Sequence, residues 1–377
     1  MAESRQQIAN VERLHSFMDK ERLAAVVVRS GINVTYLSGI AYPGTLSRHL
    51  DLTGSVRGVL LVWPRQGEPV IVCDYSNAGV TKRDAAVTRI ELYEAYVESA
   101  YACLSRVLKN LGVDREQVGF EKDYVSALHW EELQKLLPGL RMTDCSDMLE
   151  RVRWIKTPGE IALLRRGADL LDDAYTEVFP TIRDGETERD VHSRIVGSCI
   201  RRGAGWAHGI LNTSRNPILY GGEGDATFNK GDLVRTDYIA YLNGYPGHQS
   251  RMAILGRPTA EQQRLYAITV DIHRKTIDAC RPGALAKDIY QLVIQEGAKH
   301  GLKYTSSIFG HGVGPWFHQQ EPIITYGRNT PLEEGMVLAI EPHHGSWHLQ
   351  DMVVVRRGGP ELISPKFSTD ELYVIDV

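Results

Sequence analysis

Apolar residues recur at helical spacing from the start of the chain: Ile8, Val11, Leu14 and Phe17 predict an amphipathic opening helix. Short continuous apolar runs follow at 24–28 (AAVVV), 58–63 (GVLLVW) and 69–73 (PVIVC). They are too short for helices and are bounded by turn residues, so each predicts a buried strand, the last two paired through a turn over 64–68. Residues 1 to about 150 therefore read as a small α/β domain. The pattern then changes. Thr157, Pro158 and Glu160 form a helix start with a cap, a proline at the first helical position and a glutamate reaching back. Ile161, Leu164, Ala168, Leu171 and Val178 continue that helix at its own period. Helices around 187–202 and 260–300 alternate with hairpins at 232–255 and 336–355. Helices gathered against antiparallel hairpins predict an α+β domain over 151–377.

One hairpin is predicted to the residue. Asn243-Gly244 is a two-residue turn signal because both central positions take positive φ. Pairing outward sets Leu242 opposite Tyr245 and Asp237 opposite Ser250. His248 then becomes a diagonal neighbour of Asp237 on one face of the sheet.

Composition narrows the function classes. At 377 residues, two domains are expected. With 43% hydrophobic and 24% charged residues the chain reads as globular. A net charge of −4 with scattered Lys and Arg points away from nucleic acid and membrane surfaces and toward a small-molecule or peptide partner. The opening residues have no apolar core of a signal peptide, and no stretch is apolar enough for a membrane span, so a cytoplasmic protein is expected. Five dispersed cysteines without a CxxC pair predict neither a disulfide framework nor a thiolate metal site.

The candidate chemistry lies in the second half. FGHGVG at 309–314 sets His311 between glycines, where backbone can approach a ligand. GMVLAIEPH ends an apolar strand on Glu341, a carboxylate that needs a partner. HLQDMVVV carries His348 and Gln350 toward one face and Asp351 toward the other.

An Asp strand, a second hairpin strand, GHGxG, a strand ending in IEP and a final polar-then-Asp strand, in that order, resemble the pita-bread fold of the creatinase, prolidase, aminopeptidase P and methionine aminopeptidase superfamily. The helix IKTPGEIALLRRGADLLDDAY and the stretch LEEGMVLAIEP extend the resemblance, and residues 1–150 resemble the amino-terminal domain of its creatinase and prolidase branch. The fold implied is an α+β pita-bread catalytic domain behind a smaller creatinase-type α/β domain.

In the peptidase members the resemblance implies five ligands for two divalent ions. The matching positions here are Asp237, His248, His311, Glu341 and Gln350. His248 and Gln350 stand where bridging carboxylates belong, and neither an imidazole nor a neutral amide joins two dications. A two-ion peptidase is therefore not expected. What remains is a site for at most one zinc, iron or manganese ion at Asp237, His248, His311 and Glu341, or a metal-free site in which His and Glu act directly. The family also implies His318 as a residue that contacts substrate or oxyanion. Arg251, His348 in place of an Arg, Tyr220 or Gly221 in place of a histidine, and His208 are the expected substrate-binding positions, with His311, Glu341, His318 and His248 as the catalytic ones. The resulting expectation is a homodimeric hydrolase cleaving a non-peptide C–N bond of a small polar metabolite. A lyase, an Xaa-Pro metallopeptidase and a non-catalytic binding module are the alternatives.

Overall fold

Ala25–Val28, Leu60–Pro64 and Val70–Asp74 are the strands expected from the three apolar runs, and every residue in them is buried. The structure is a computed structural model describing residues 7–220, 223–318 and 320–377. It divides into two units, Met1–Arg153 and Trp154–Val377. In the first, the three strands form the middle of a six-stranded mixed sheet, flanked by Arg89–Tyr93 on one side and by Gln117–Phe120 and Arg141–Asp144 on the other. The predicted hairpin pairs Leu60 with Val72. Val26, Val28 and Leu61 enter one core, while Ala25, Val27, Leu60 and Val62 enter another. A sheet covered on both faces is the reason these runs are continuously apolar rather than alternating. The opening helix, Val11–Glu21, is capped by Asn10 and buries Leu14 and Met18.

The second unit opens with the helix Pro158–Val178. Thr157 caps it, and Glu160 completes the capping box. Its buried stripe includes all five of the predicted periodic residues. A five-stranded sheet follows, ordered Tyr373–Ile375, Met252–Leu255, Leu233–Leu242, Trp206–Thr213, with Tyr245–Gln249 also paired to Leu233–Leu242. Asn243 and Gly244 take φ of 50° and 80°, and Leu242 pairs with Tyr245 as predicted. A four-stranded sheet runs Gly310–Gly312, Val337–Ile340, Asp351–Val354, Glu361–Leu362. An isolated bridge between Ser250 and Gln350 joins the two sheets. The apolar pattern over 260–300 resolves into two helices, Ala260–Asp278 and Ala286–Lys299, separated around Pro282-Gly283.

Two glycines set the position of the Asp–His hairpin. A Cβ built on Gly167, in the long helix, would collide with Gly247 N, and one built on Gly247 would collide with Gly167 O. Helix backbone thus rests on strand backbone one residue before His248. Behind it, Arg251 is fully buried between Asp172 (3.0 Å) and Asp351 (2.9 Å) and also donates to Gln350 O at 2.8 Å. Among the described residues, no helix is long and apolar enough to cross a membrane. All five cysteines are buried and free.

Candidate active site

Asp237 lies on the strand Leu233–Leu242 and His248 on the strand that returns from the Asn243-Gly244 turn. The diagonal contact expected between them is present, with His248 Nδ1 3.8 Å from Asp237 Oδ1. His311 Nε2 stands 3.7 Å from Glu341 Oε1, and His348 Nε2 is 3.6 Å from Glu341 Oε2. Glu341 is held by its own backbone, whose N–H donates to Phe309 O at 3.0 Å. His318 packs edge-on to His311, ring centroids 4.7 Å apart.

These separations are too long for hydrogen bonds. They are close to the spacing of about 3.3–3.6 Å between donor atoms that share one ion at about 2.0–2.2 Å. Two overlapping groups have their donor atoms within 4.8 Å of one another: His311, His318 and Glu341, and Asp237, Glu341 and His348. Glu341 belongs to both.

The buried atoms without partners point to the same place. Asp237 Oδ1, His248 Nε2, His311 Nε2, His348 Nε2 and Gln350 Oε1 are all buried without a hydrogen-bond partner. Native interiors leave few such atoms, and a cluster of them marks a site that completes its bonding with something else. Tautomers follow from the neighbours. His311 Nδ1–H donates to Gly312 O (3.0 Å) and His248 Nδ1–H to Tyr238 O (3.3 Å), so both Nε2 atoms carry lone pairs. His348 differs: its Nδ1 lies 3.4 Å from both Ser250 Oγ and Arg235 Nη2, and the guanidinium can only donate. That arrangement sets the Nε2 proton of His348 toward Glu341.

Burial pushes Glu341 well above the usual carboxylate range, with Asp237 adding repulsion, and it raises Asp237 as well. Burial also pushes His248 down to about 3 and His311 and His348 well below the ordinary imidazole value. The histidines are therefore neutral, the form that binds metal. A cation would supply the charge that keeps both carboxylates ionised.

The donor set brings two carboxylates, enough to balance the charge of one divalent ion. Asp237 and Glu341 are the carboxylates gathered here, and the fully buried Arg235 lies close enough to act electrostatically on both. Gln350 contributes no charge and uses its amide N–H on His248 O (3.2 Å). Two dications beside a guanidinium would leave a large uncompensated buried charge.

Several expected residues lie elsewhere than foreseen. Arg251 is enclosed by Asp172 and Asp351 and does not line the cavity, so it is not positioned to hold substrate. His348 faces Glu341 from within the cluster. His248 stacks on His311, centroids 5.5 Å apart, but belongs to neither three-ligand group. Nor do the glycines beside His311 make room for a ligand. A Cβ on Gly312 would collide with Glu321 O, and one on Gly310 would press on Ala339 O, so they admit neighbouring backbone. Tyr220, His208 and His318 do line the cavity, of about 1130 Å³, together with Trp206, Ile239 and Phe317. Gly221 lies outside the described residues. Arg235 escaped the sequence reading. Its signal was its place two residues before Asp237, on the same face of one strand. It donates to Leu219 O (2.6 Å) and lies 5.1 Å from the centroid of the Tyr220 ring.

Comparison with known proteins agrees with this architecture. The model of metallopeptidase family M24 matches residues 162–357, and that of the creatinase/prolidase N-terminal domain matches residues 10–155. An Xaa-Pro dipeptidase of Pyrococcus horikoshii is 24% identical over 364 residues, 94% of this chain and 96% of that protein. A probable dipeptidase, PepE, of Mycobacterium tuberculosis is 28% identical over 366 residues, 94% of this chain and 93% of that protein. The X-Pro aminopeptidase structure from Thermotoga maritima superposes with a TM-score of 0.81 at 19% identity, covering 97% of this chain and 99% of that one. These likenesses to dipeptidases overturn the expected non-peptide C–N substrate and the expectation against peptidase activity, and favour the Xaa-Pro peptidase named among the alternatives. Ligand changes at His248 and Gln350 bear on how many ions are held; they carry no information about the bond that is cut. Since the M24 model spans more than half of the chain, and the unit it covers carries the histidine and carboxylate cluster, this protein belongs to metallopeptidase family M24.

Proposed function

We propose that this chain is a dipeptidase of the Xaa-Pro class that works with one divalent ion rather than two. The observation that carries the reading is the set of partnerless buried atoms around Glu341, on the wall of a cavity large enough for a dipeptide. Glu341 and His311 would hold the ion, with Asp237 and His248 the candidates to complete the set. Zinc, manganese and iron all suit imidazole and carboxylate donors. When bound, such an ion supplies Lewis-acid polarisation of a carbonyl and lowers the pKa of water.

The chain's own residues do the rest. Glu341 takes and returns a proton at the carboxylate oxygen that His348 Nε2–H faces. His318, on the cavity wall and lowered by burial, is neutral near pH 7 and donates to the developing oxyanion. Trp206, Ile239 and Phe317 provide apolar wall for a proline ring and a neighbouring side chain. Arg235, fully buried and outside the cavity lining, lies against the Tyr220 ring and holds it at the wall.

The test is hydrolysis of Ala-Pro, Gly-Pro and matched non-proline dipeptides by protein reloaded separately with zinc, manganese, cobalt and ferrous iron. Cleavage that requires one ion per chain and disappears in His311→Ala supports the reading. No cleavage of any dipeptide with any ion rejects it. A homodimer and a cytoplasmic location remain part of the proposal, checked by sedimentation and by fractionation of the source cells.

A further inference from the structure

The strand Trp206–Thr213 forms an edge of the five-stranded sheet, and a second histidine–carboxylate cluster gathers there. His208, on that strand, and His192, on the helix Glu188–Arg201, meet edge to face with ring centroids 4.7 Å apart. Glu223 Oε1 stands 3.6 Å from His192 Nε2 and 3.7 Å from His208 Nε2. One donor atom from each of the three lies within 4.8 Å of the others. Neither histidine is hydrogen-bonded to the carboxylate at these distances. As at the central site, the gaps match donors spread around one ion.

Two further features belong to a built site. His192 Nδ1 is 2.7 Å from Tyr238 Oη, the kind of outer partner that holds a ligating imidazole with its other nitrogen free. Glu223 is brought in by the backbone next to it: Arg189 N–H donates to Gly224 O (3.0 Å) and Glu188 N–H to Ala226 O (2.8 Å), which ties this segment to the first turn of the helix that carries His192. Exposure grades outward, from 11% of the side chain at His192 to 23% at Glu223 and 51% at His208. One side of the cluster is therefore open to solvent, where water would complete the coordination. Tyr238 leaves the sheet face opposite Asp237, while His208, paired with Ile239 at the sheet edge, is on the Asp237 face; the two clusters share no ligand.

From this geometry we propose that His192, His208 and Glu223 form a second divalent-cation site, of the two-imidazole, one-carboxylate type that suits zinc. It is separate from the Glu341 site and independent of the dipeptidase reading. His208 also lines the cavity, so an ion here would stand at the cavity wall rather than at the reacting bond.

The test uses full-length protein stripped with chelator and titrated with zinc chloride by calorimetry, with bound zinc counted by elemental mass spectrometry. Glu223→Gln and His208→Ala alter partly exposed side chains, and circular dichroism checks that they fold. Each is expected to bind one zinc fewer than the parent, or to bind that zinc at least about tenfold more weakly. Tyr238→Phe is expected to weaken the same zinc by about tenfold while leaving the stoichiometry intact. Glu341→Gln should remove a different equivalent, and the double variant should lose both. A parent whose single zinc survives Glu341→Gln but not Glu223→Gln supports this site and counts against the central one. If Glu223→Gln and His208→Ala both keep the parent's stoichiometry and affinity, the proposal is overturned.

Discussion

Glu341 is the residue on which the central site turns, because both three-ligand groups include it and its oxygens face His311 and His348. Glu341→Gln keeps the shape and removes the charge, so dipeptide turnover should fall by about 10²–10⁴-fold, and the centrally bound ion should be lost. Steady-state kinetics with metal counting checks both. His248 and Gln350 make the complementary case. Restoring carboxylates with the double change His248→Asp and Gln350→Glu should raise the capacity of this site from one ion to two. Elemental analysis of that variant against the parent, both carrying Glu223→Gln, reads the difference, and unchanged capacity would contradict the role given to His248 and Gln350. These substitutions were legible at sequence level because a hairpin and three short motifs set their order. Arg235 was not: its place two residues before Asp237 gives the face the two share, but not its burial beside two carboxylates.

Among the elements, the helix Pro158–Val178 supports the site through backbone contact rather than side chains. Gly247→Ala would drive a methyl group into Gly167 O, and with no flexible atom to yield, the hairpin must shift. A loss of at least about 3 kcal/mol is expected by urea unfolding, with reduced ion affinity because His248 is the next residue. The same helix carries a pH-sensitive start. Burial raises Glu160 to about 7, while hydrogen bonds from Thr157 N and Tyr245 Oη work in the opposite direction. Its folded-state pKa lies above the unfolded 4.5. The native state therefore binds the extra proton between those values, and this contribution is complete below 4.5 and lost as pH rises through about 7. It amounts to about 3 kcal/mol. Glu160→Gln should flatten the stability profile from pH 4.5 to 8, measured by denaturant unfolding, since Gln can still close the capping box. The box itself was visible in Thr157, Pro158 and Glu160, but the burial that perturbs the carboxyl was not.

For the whole molecule, the two units make ion removal a local event. Chelation should destabilise the unit Trp154–Val377 by the free energy of ligand release and leave the sheet of the first unit unchanged. Hydrogen-exchange mass spectrometry should report faster exchange at 233–249, 310–312 and 337–341, with 25–28 and 60–74 unaltered. Equal loss of protection in both units would contradict it. The strands of the first unit and the Asn243-Gly244 hairpin follow from the sequence by itself, because periodicity, turn chemistry and capping are local and act within a few residues. So does the order of the ligand positions. Tertiary structure alone decided which of those residues meet. The Ser250–Gln350 bridge and the Gly167–Gly247 contact join segments about 100 and 80 residues apart in the chain. It enclosed Arg251 between two aspartates and brought Arg235 under the carboxylates. It also assembled His192, His208 and Glu223, three residues with no common motif, at one sheet edge. Those outcomes depend on packing between distant elements, and local pattern carries no record of it.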